Sequence, residues 1–330
     1  METKRTMKNA FASWLAWTLL FALTSGCGPS GPKPYPNKTI TLVCPWAAGG
    51  GTDRLSRFMA NALQTSLGQS VIVVNQVGGS GAAGHQKGAL ADPDGHTLTM
   101  ATFELSTMHW MGISEVTHTN YEPVMQLNAD AAALLVRADA PWKDLEAFLE
   151  HIKAHPGEVT LSGTASGGAW DLARAGFLLA AELPVDSVRW IPKKGAAPSL
   201  VELLGGHIDA VCCSVPEAAA QIESRQLRVL AVMSPERLAE YPDIPTVREK
   251  GIPWDAVGWR GLVLPKGTPP EIVALVEDHC RKIVESPAFT DFMKMNGFVP
   301  VVRGSGEFAT FLAEQDAQWQ PVIEKAGYAQ

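Results

Sequence analysis

The stretch from Thr39 to Asp53 reads TITLVCPWAAGGGTD and decides the fold. Its first part, Thr39–Cys44, is an apolar run of strand length that Pro45 brings to an end. Three consecutive glycines follow, and apolar residues at helical spacing then predict a helix over Asp53–Leu67. The stretch is therefore a strand, a glycine-rich loop and a helix in series.

The glycine-rich loop of this unit predicts an anion-binding site. Ligands of open α/β sheets bind beyond the C-terminal ends of the strands, and a helix start offers free N–H groups with a partial positive charge. Glycines let those N–H groups approach an anion because no Cβ intervenes. The alternative is a plain helix cap after a flexible turn, made by Thr52 or Asp53. The candidate ligand contacts here are Trp46, Ala47, Gly49, Gly50, Gly51, Thr52 and Asp53.

The same alternation of strand and helix patterns continues along the chain. Further strands are predicted at 71–74, 96–102, 124–127, 133–136, 159–162, 188–191, 208–213, 227–233 and 259–264. Further helices are predicted at 81–90, 145–155, 169–183, 198–204, 216–223, 270–285, 288–296 and 305–326. This order predicts an α/β fold with mostly parallel sheets and helices on both faces.

The length and the hydrophobic content of 46% suggest two lobes around a large core. We expect lobe 1 to comprise residues 38–136 and 257–330, and lobe 2 to comprise residues 137–256. Lobe 1 is then assembled from both ends of the chain.

A second glycine-rich loop joins a strand to a helix within the predicted lobe 2. It reads SGTASGGAWD over Ser162–Asp171, and it offers hydroxyls as well as backbone donors. If this loop faces the first across a cleft, a ligand with two carboxylates can bridge the lobes. The candidate contacts here are Thr164, Ser166, Gly167, Gly168, Ala169 and Trp170.

A third glycine motif, GSGAAG over Gly79–Gly84, has the spacing of a dinucleotide-binding fingerprint, and Glu104 follows twenty residues later. It lies in the second strand–helix unit, whereas the fingerprint belongs to the first. We therefore expect no nucleotide and no other cofactor, and retain only Gly81 as a candidate ligand contact.

The N-terminus has the pattern of an export signal. Three basic residues precede an apolar run over Ala10–Leu23, which is shorter than a membrane span. Small residues then lead to Cys27, so we expect residues 1–26 to be a signal peptide and Cys27 to carry a lipid anchor. Thr24 departs from the usual aliphatic residue, which leaves a soluble cleaved form as the alternative. Residues 27–37 read as a tether.

Charge and side-chain chemistry exclude several other functions. The net charge of −7 and the lack of a basic run argue against nucleic acid. His151 and His155 are interpreted as a solvated helix face rather than a metal site, and no catalytic motif is present, so we expect no metal and no enzyme activity. The remaining cysteines are interpreted as small buried residues, with a disulfide as the alternative: Cys44, Cys212, Cys213 and Cys280.

Six blocks of the sequence, in order, resemble the substrate-binding proteins of tripartite tricarboxylate transporters, the Bug receptors. They read YPNKTITLVCPWAAGGGTD, VIVVNQVGGSGAAG, ADPDGHTL, IPKKGAAPSLVELLGGHIDA, LRVLAVMSPERLAEYPDIPTVREKG and WRGLVLPKGTPPEIV, and the resemblance covers Tyr35 to Gly327. The chain departs from the family pattern at Trp46-Ala47-Ala48, at Trp170 and at Pro192-Lys193-Lys194-Gly195, which bears on the identity of the ligand.

The resemblance implies a two-lobed periplasmic-binding-protein fold of the second type that closes over its ligand. It implies a small organic carboxylate as ligand, a two-component membrane permease as partner, and a periplasmic location. It also implies carboxylate contacts from the loops at 46–53 and 164–169, which are the two loops already identified.

Several interpretations remain open on the sequence alone. Asp53 either caps its helix or loop, or pairs with a ligand ammonium group. Trp46 and Trp170 either sandwich a flat ligand or pack into the lobe walls, and Lys194 either adds positive charge at the cleft rim or is simply exposed. A receptor that presents its ligand to a sensor kinase, an enzyme on this fold and a structural envelope lipoprotein are the alternative functions.

Overall fold

A single long strand, β4, organises the sheet in the computed structural model, which describes residues 34–329. It runs over Tyr121–Arg137 and is buried along nearly all of its length. The sequence predicted two shorter strands here because polar Asn128 and Asp130 interrupt the apolar pattern. The strand continues through them because the Asn128 amide donates to Asp130 at 2.6 Å and Arg260 pairs with Asp130, so the Asn128 N–H and the Asp130 carboxylate have partners inside the protein.

Ten strands and nine α-helices are found in residues 34–329, all of them from residue 40 onward. The strands are β1 Ile40–Cys44, β2 Val71–Asn75, β3 Thr97–Thr102, β4, β5 Thr160–Ser162, β6 Arg189–Trp190, β7 Ala210–Ser214, β8 Leu227–Val232, β9 Val257–Pro265 and β10 Pro300–Gly304. The helices are α1 Gly51–Leu67, α2 Ala82–Ala89, α3 Leu145–Ala154, α4 Ala169–Ala180, α5 Ala196–Leu204, α6 Ala219–Glu223, α7 Pro270–Val284, α8 Pro287–Met295 and α9 Ser305–Lys325.

The strands form one sheet of two halves that share β4. The first sheet half contains β1, β2, β3, β9, β10 and β4 up to Ala131, and the second sheet half contains β5 to β8 and β4 from Ala132. The outer strands of both halves pair in parallel, as predicted, whereas β4 and β9 form antiparallel pairs through the middle. Residues 38–329 belong to one compact unit.

The chain changes sheet half at two adjacent points. β4 leaves β9 after Ala131 and joins β7 at Ala132, and Ala256 lies beside it, accepting from Ala132 N at 2.8 Å. The lobe boundaries predicted from the sequence, at 136/137 and 256/257, lie near these two points. The division into two lobes remains a prediction.

Some element boundaries differ from those predicted, for local reasons. The N-cap of α1 is Gly50, not Thr52 or Asp53, because the helix already begins at Gly51. Strand β10 was missed because its PVVRG segment is short and contains no fully buried residue, and antiparallel pairing with β4 supplies its order.

The four described cysteines are buried and form no disulfide, which confirms their interpretation as small core residues. Within residues 34–329 no helix is long and apolar enough to cross a membrane. Cys27, the signal peptide and most of the tether lie outside the described residues.

Candidate functional site

The two glycine-rich loops converge on one cavity between the sheet halves. Its volume is about 30 Å³, room for only one or two water molecules, so a larger solute enters only when the walls separate. From the first loop, Trp46, Ala47, Gly50, Gly51 and Thr52 line the cavity. Thr164, Ala169 and Trp170 line it from the second loop.

The other seven candidate residues lie outside this lining. They are Gly49, Asp53, Gly81, Ser166, Gly167, Gly168 and Lys194. The Lys194 side chain is exposed and borders a separate outer groove with Ala48 and Pro192, while its carbonyl accepts from Ala47 N at 3.3 Å. Lys194 thus lies on the rim of the first loop rather than inside the cavity.

Asp53 has a structural role in the first loop. Its carboxylate accepts from Gly49 N at 2.9 Å and from the Asn75 amide at 2.8 Å, and it pairs with Arg57. Burial works to raise the pKa of Asp53, but these three partners together hold that pKa below its usual value. Of the two roles considered for Asp53, capping of the loop rather than pairing with a ligand ammonium group therefore matches these contacts. Asp171 does the same in the second loop, accepting from Gly167 N at 2.9 Å.

The third glycine motif supports the first loop and contacts the second. A Cβ on Gly84 would lie 2.6 Å from Pro45 Cα, so glycine is required where α2 packs against the first loop. A Cβ on Gly81 would lie 3.3 Å from the Trp46 ring. The Ser80 hydroxyl donates to the carbonyl of Ser166, which joins the two sheet halves outside the cavity.

His85 fixes this motif to β3 through both ring nitrogens. Its Nδ1 donates to the Gly81 carbonyl at 2.9 Å and its Nε2 accepts from Thr102 N at 3.2 Å. These bonds fit the neutral ring with its proton on Nδ1, and a second proton on Nε2 would face the N–H of Thr102. Complete burial lowers the pKa of His85 to about 4.

The low pKa of His85 predicts a measurable pH response. Its folded pKa lies below the unfolded value, so the stability it contributes is complete above about pH 6.5 and is lost as the pH falls towards 4. We expect the His85 ring resonance, assigned with a His85→Gln variant, to stay unchanged from pH 7.5 to about pH 5 while free histidine titrates. A midpoint near pH 6.5 would contradict the described geometry.

Three charged residues that the sequence analysis did not select also line the cavity: Glu104, Glu217 and Arg260. Glu104 follows β3, and its carboxylate accepts from Ala169 N at 2.7 Å and from the Thr102 hydroxyl at 2.5 Å. Glu217 follows β7 and accepts from Gly51 N at 3.3 Å. Both carboxylates therefore contact helix starts that had been expected to hold the ligand.

Arg260 lines the cavity and contacts residues of both sheet halves. It lies on β9 opposite Thr102, donates to Asp130 at 2.7 Å and to the Thr52 hydroxyl at 3.0 Å, and approaches Glu217 at 3.5 Å. Burial raises the pKa of Asp130 to about 6, even though Arg260 works to lower it.

Weak signals of these three residues were present in the sequence. Arg260 is a single charge within the apolar run WRGLVL, and Glu217 stands three residues after Ser214 in a helix-capping pattern. Glu104 was noticed only for its distance from the third glycine motif. A charged residue inside a core strand needs a buried partner, and Arg260 meets this description in the sequence.

Aromatic rings form much of the cavity wall. Trp46, Trp170, Trp259 and Phe103 line it, and all four are at most 8% exposed. The Trp46 indole donates to the Thr102 hydroxyl at 3.3 Å. Stacking of Trp46 and Trp170 on a ligand remains a prediction.

No group of side chains suited to hold a metal ion occurs in residues 34–329. His151 and His155 stack at the end of α3, with ring centroids 4.6 Å apart, and His155 is exposed.

Comparison with known proteins gives a consistent family assignment. The model of the tripartite tricarboxylate transporter family receptor matches residues 55–328. Among solved structures, the periplasmic binding protein BugD is 28% identical, with a TM-score of 0.84 over 89% of this chain and 99% of that one. The α/β periplasmic-binding-protein fold is thereby confirmed.

Two further structures differ in their ligand state. A TctC solute binding protein from Polaromonas with no ligand is 36% identical and has a TM-score of 0.65, covering 88% of this chain and 99% of that one. MatC from Rhodopseudomonas palustris with bound malate is 25% identical and has a TM-score of 0.81, covering 88% of this chain and 100% of that one.

Proposed function

Because the chain belongs to the tripartite tricarboxylate transporter receptor family, we propose that it captures a small organic carboxylate in the cavity between its sheet halves and delivers it to the membrane permease of such a transporter. The observation that carries the proposal is the convergence of α1, α4 and Arg260 on one partly open cavity. Malate bound to the related MatC supports a carboxylate as ligand.

Closure of the two halves over the solute is the proposed mechanism. The unliganded Polaromonas protein superposes less well than malate-bound MatC despite its greater identity, which supports two arrangements of the halves. The contacts of Ser80 with Ser166, Glu104 with Ala169 and Glu217 with Gly51 all cross between the halves, so they belong to the closed arrangement. The solute favours closure only by binding the closed form more tightly than the open one.

The location and partner follow from the same proposal. We place the protein in the periplasm, held to a membrane by a lipid on Cys27, with the closed form recognised by the permease. No enzyme step is needed for this role. Presentation of the solute to a sensor kinase is the second candidate, since the same closed form can serve either partner.

A thermal-shift screen of mono-, di- and tricarboxylates, including aromatic and amino acids, tests solute binding. At a solute concentration of 100 Kd, binding adds about 2.7 kcal/mol to the free energy of unfolding, which raises Tm by several degrees. We expect one chemical class to give such a rise.

The variant Gly51→Ala provides the specific control for this screen. Its new methyl group would lie 3.0–3.1 Å from Arg260 and Glu217, inside the cavity, so we expect the ligand-induced rise to disappear. Gly306→Ala, at an open surface position of α9, should keep it. A screen without any rise, or an equal rise in Gly51→Ala, would contradict solute capture in this cavity.

A further inference from the structure

Each sheet half supplies a glutamate to a helix start of the other half. Glu104 belongs to the first half and accepts from Ala169 N at the start of α4, in the second half. Glu217 belongs to the second half and accepts from Gly51 N at the start of α1, in the first half. One backbone donor at each of these helix starts is therefore already bonded to a carboxylate of the protein.

The charges around the cavity leave an excess of carboxylate. Of the lining residues, Glu104 and Glu217 are acidic and only Arg260 is basic. Arg260 pairs with the buried Asp130 at 2.7 Å and also with Glu217 at 3.5 Å. Arg54 lies close to Glu217 but outside the lining, where it donates to Asn296 and to the Pro216 carbonyl. Glu104 forms no ion pair with any residue in the described part of the chain. A dicarboxylate would add two negative charges to this surplus.

Glu104 is set in surroundings that favour a cation. It is 2% exposed, and burial raises the pKa of its carboxyl, so a nearby positive charge would relieve a real desolvation cost. Trp46, Trp170, Trp259 and Phe103 line the same cavity, and the faces of aromatic rings attract cations.

The hydroxyl of Thr164 is an independent sign that the cavity accommodates a polar group. Thr164 lines the cavity and is 4% exposed, and its Oγ1 has no hydrogen-bond partner among the described residues. A buried hydroxyl without a partner is uncommon in folded proteins and is satisfied by a ligand atom at hydrogen-bond distance.

We propose that the cavity selects a solute with one ammonium group and one carboxylate, and that Glu104 and Glu217 receive the ammonium against the aromatic walls. The carboxylate of the solute binds near Arg260 and the start of α5, which also lines the cavity. Such a zwitterion adds no net charge, whereas a dicarboxylate meets two glutamates of its own sign. This inference rests on the proposed function and specifies its ligand.

Matched pairs of probes test the inference by isothermal titration at pH 7.5. Each pair has the same chain of three to six carbons and differs only at one end, as 4-aminobutyrate differs from succinate. For the pair whose length fits, we expect the wild type to bind the amino acid about tenfold or more tightly than the diacid, since a charge-assisted hydrogen bond contributes that much.

The variant Glu104→Gln/Glu217→Gln keeps the side-chain volumes and the acceptors for Ala169 N and Gly51 N, but removes both charges and the Glu217 oxygen that accepts from Ser214 N. We expect the preference for the amino acid to fall by about tenfold or more. The exposed Glu271→Gln is the matched control and should leave the ratio of the two Kd values unchanged. If the double variant does not fold, each single variant should show part of the same fall.

Two results overturn the inference while the proposed function stands. One is a wild type that binds the diacid at least as tightly as its amino partner. The other is a ratio that both glutamine substitutions leave unchanged. Binding of none of these probes by the wild type would overturn the inference as well, while solute capture would still be decided by the thermal-shift screen.

Discussion

Replacing Arg260 by methionine is expected to lower the free energy of unfolding by about 3–5 kcal/mol. Arg260 is 4% exposed and is the cation paired with Asp130, whose side chain is 1% exposed. Without it, Asp130 keeps hydrogen bonds from Val299 N and Asn128 but no positive charge. Urea denaturation at pH 7 measures the loss.

The pH dependence of this loss identifies its cause. The folded pKa of Asp130, about 6, lies above its unfolded value, so the stability from this group is greatest at low pH and declines as the pH rises through 6. Removal of Arg260 raises that folded pKa further, so the loss in Arg260→Met should be smaller at pH 5 than at pH 7. The double variant Arg260→Met/Asp130→Asn should recover much of the free energy of unfolding that Arg260→Met loses at pH 7.

Lys282→Met is the matched control for Arg260→Met. Lys282 pairs with Asp278 on the surface of α7, where both side chains are more than half exposed, so its removal should cost no more than about 0.5 kcal/mol. A loss in Arg260→Met as small as this would show that the buried pair does not stabilise the fold.

The second large effect is expected at Gly163, which lies in the second loop directly after β5. A Cβ here would lie 2.1 Å from the Cys212 carbonyl oxygen and 2.9 Å from Trp170 Cβ. Cys212 is held in β7 at the centre of the second sheet half, so the backbone has nowhere to move. We expect Gly163→Ala to lower the free energy of unfolding by about 3 kcal/mol or more, measured by urea denaturation.

Gly306→Ala distinguishes this clash from a general effect of added methyl groups. Nothing lies within 4 Å of a Cβ at Gly306, and the residue is in the first turn of α9, so alanine should be neutral or slightly stabilising. Equal stabilities of the two alanine variants would mean that Gly163 is not confined as described.

The predictable part of the fold is the part governed by local pattern. Strand β1, the glycine loop and α1 were predicted within two residues because apolar periodicity and glycine chemistry act over short distances. The continuity of β4 was not predictable, because it depends on Arg260, 130 residues further along, to satisfy Asp130. Antiparallel pairing of β4 with β9 is likewise decided by contacts remote in sequence.

The candidate site divides in the same way. The loops that begin α1 and α4 were found because glycine before a helix has a recognisable chemistry, and they do reach one cavity. Glu104 and Glu217 were missed because each acts on the opposite sheet half, and no local pattern marks a residue for a partner across a cleft. Of the seven candidates outside the lining, Gly49, Asp53, Ser166, Gly167 and Gly168 belong to the same two loops, whereas Gly81 and Lys194 belong to neighbouring segments.

A crystal structure of the protein with the tightest-binding acid from the screen tests the central claim most directly. We expect the solute between Trp46 and Trp170, in contact with both sheet halves and within hydrogen-bond distance of Arg260 or the start of α5. Electron density for the solute in the outer groove beside Lys194, with the cavity unchanged, would contradict it.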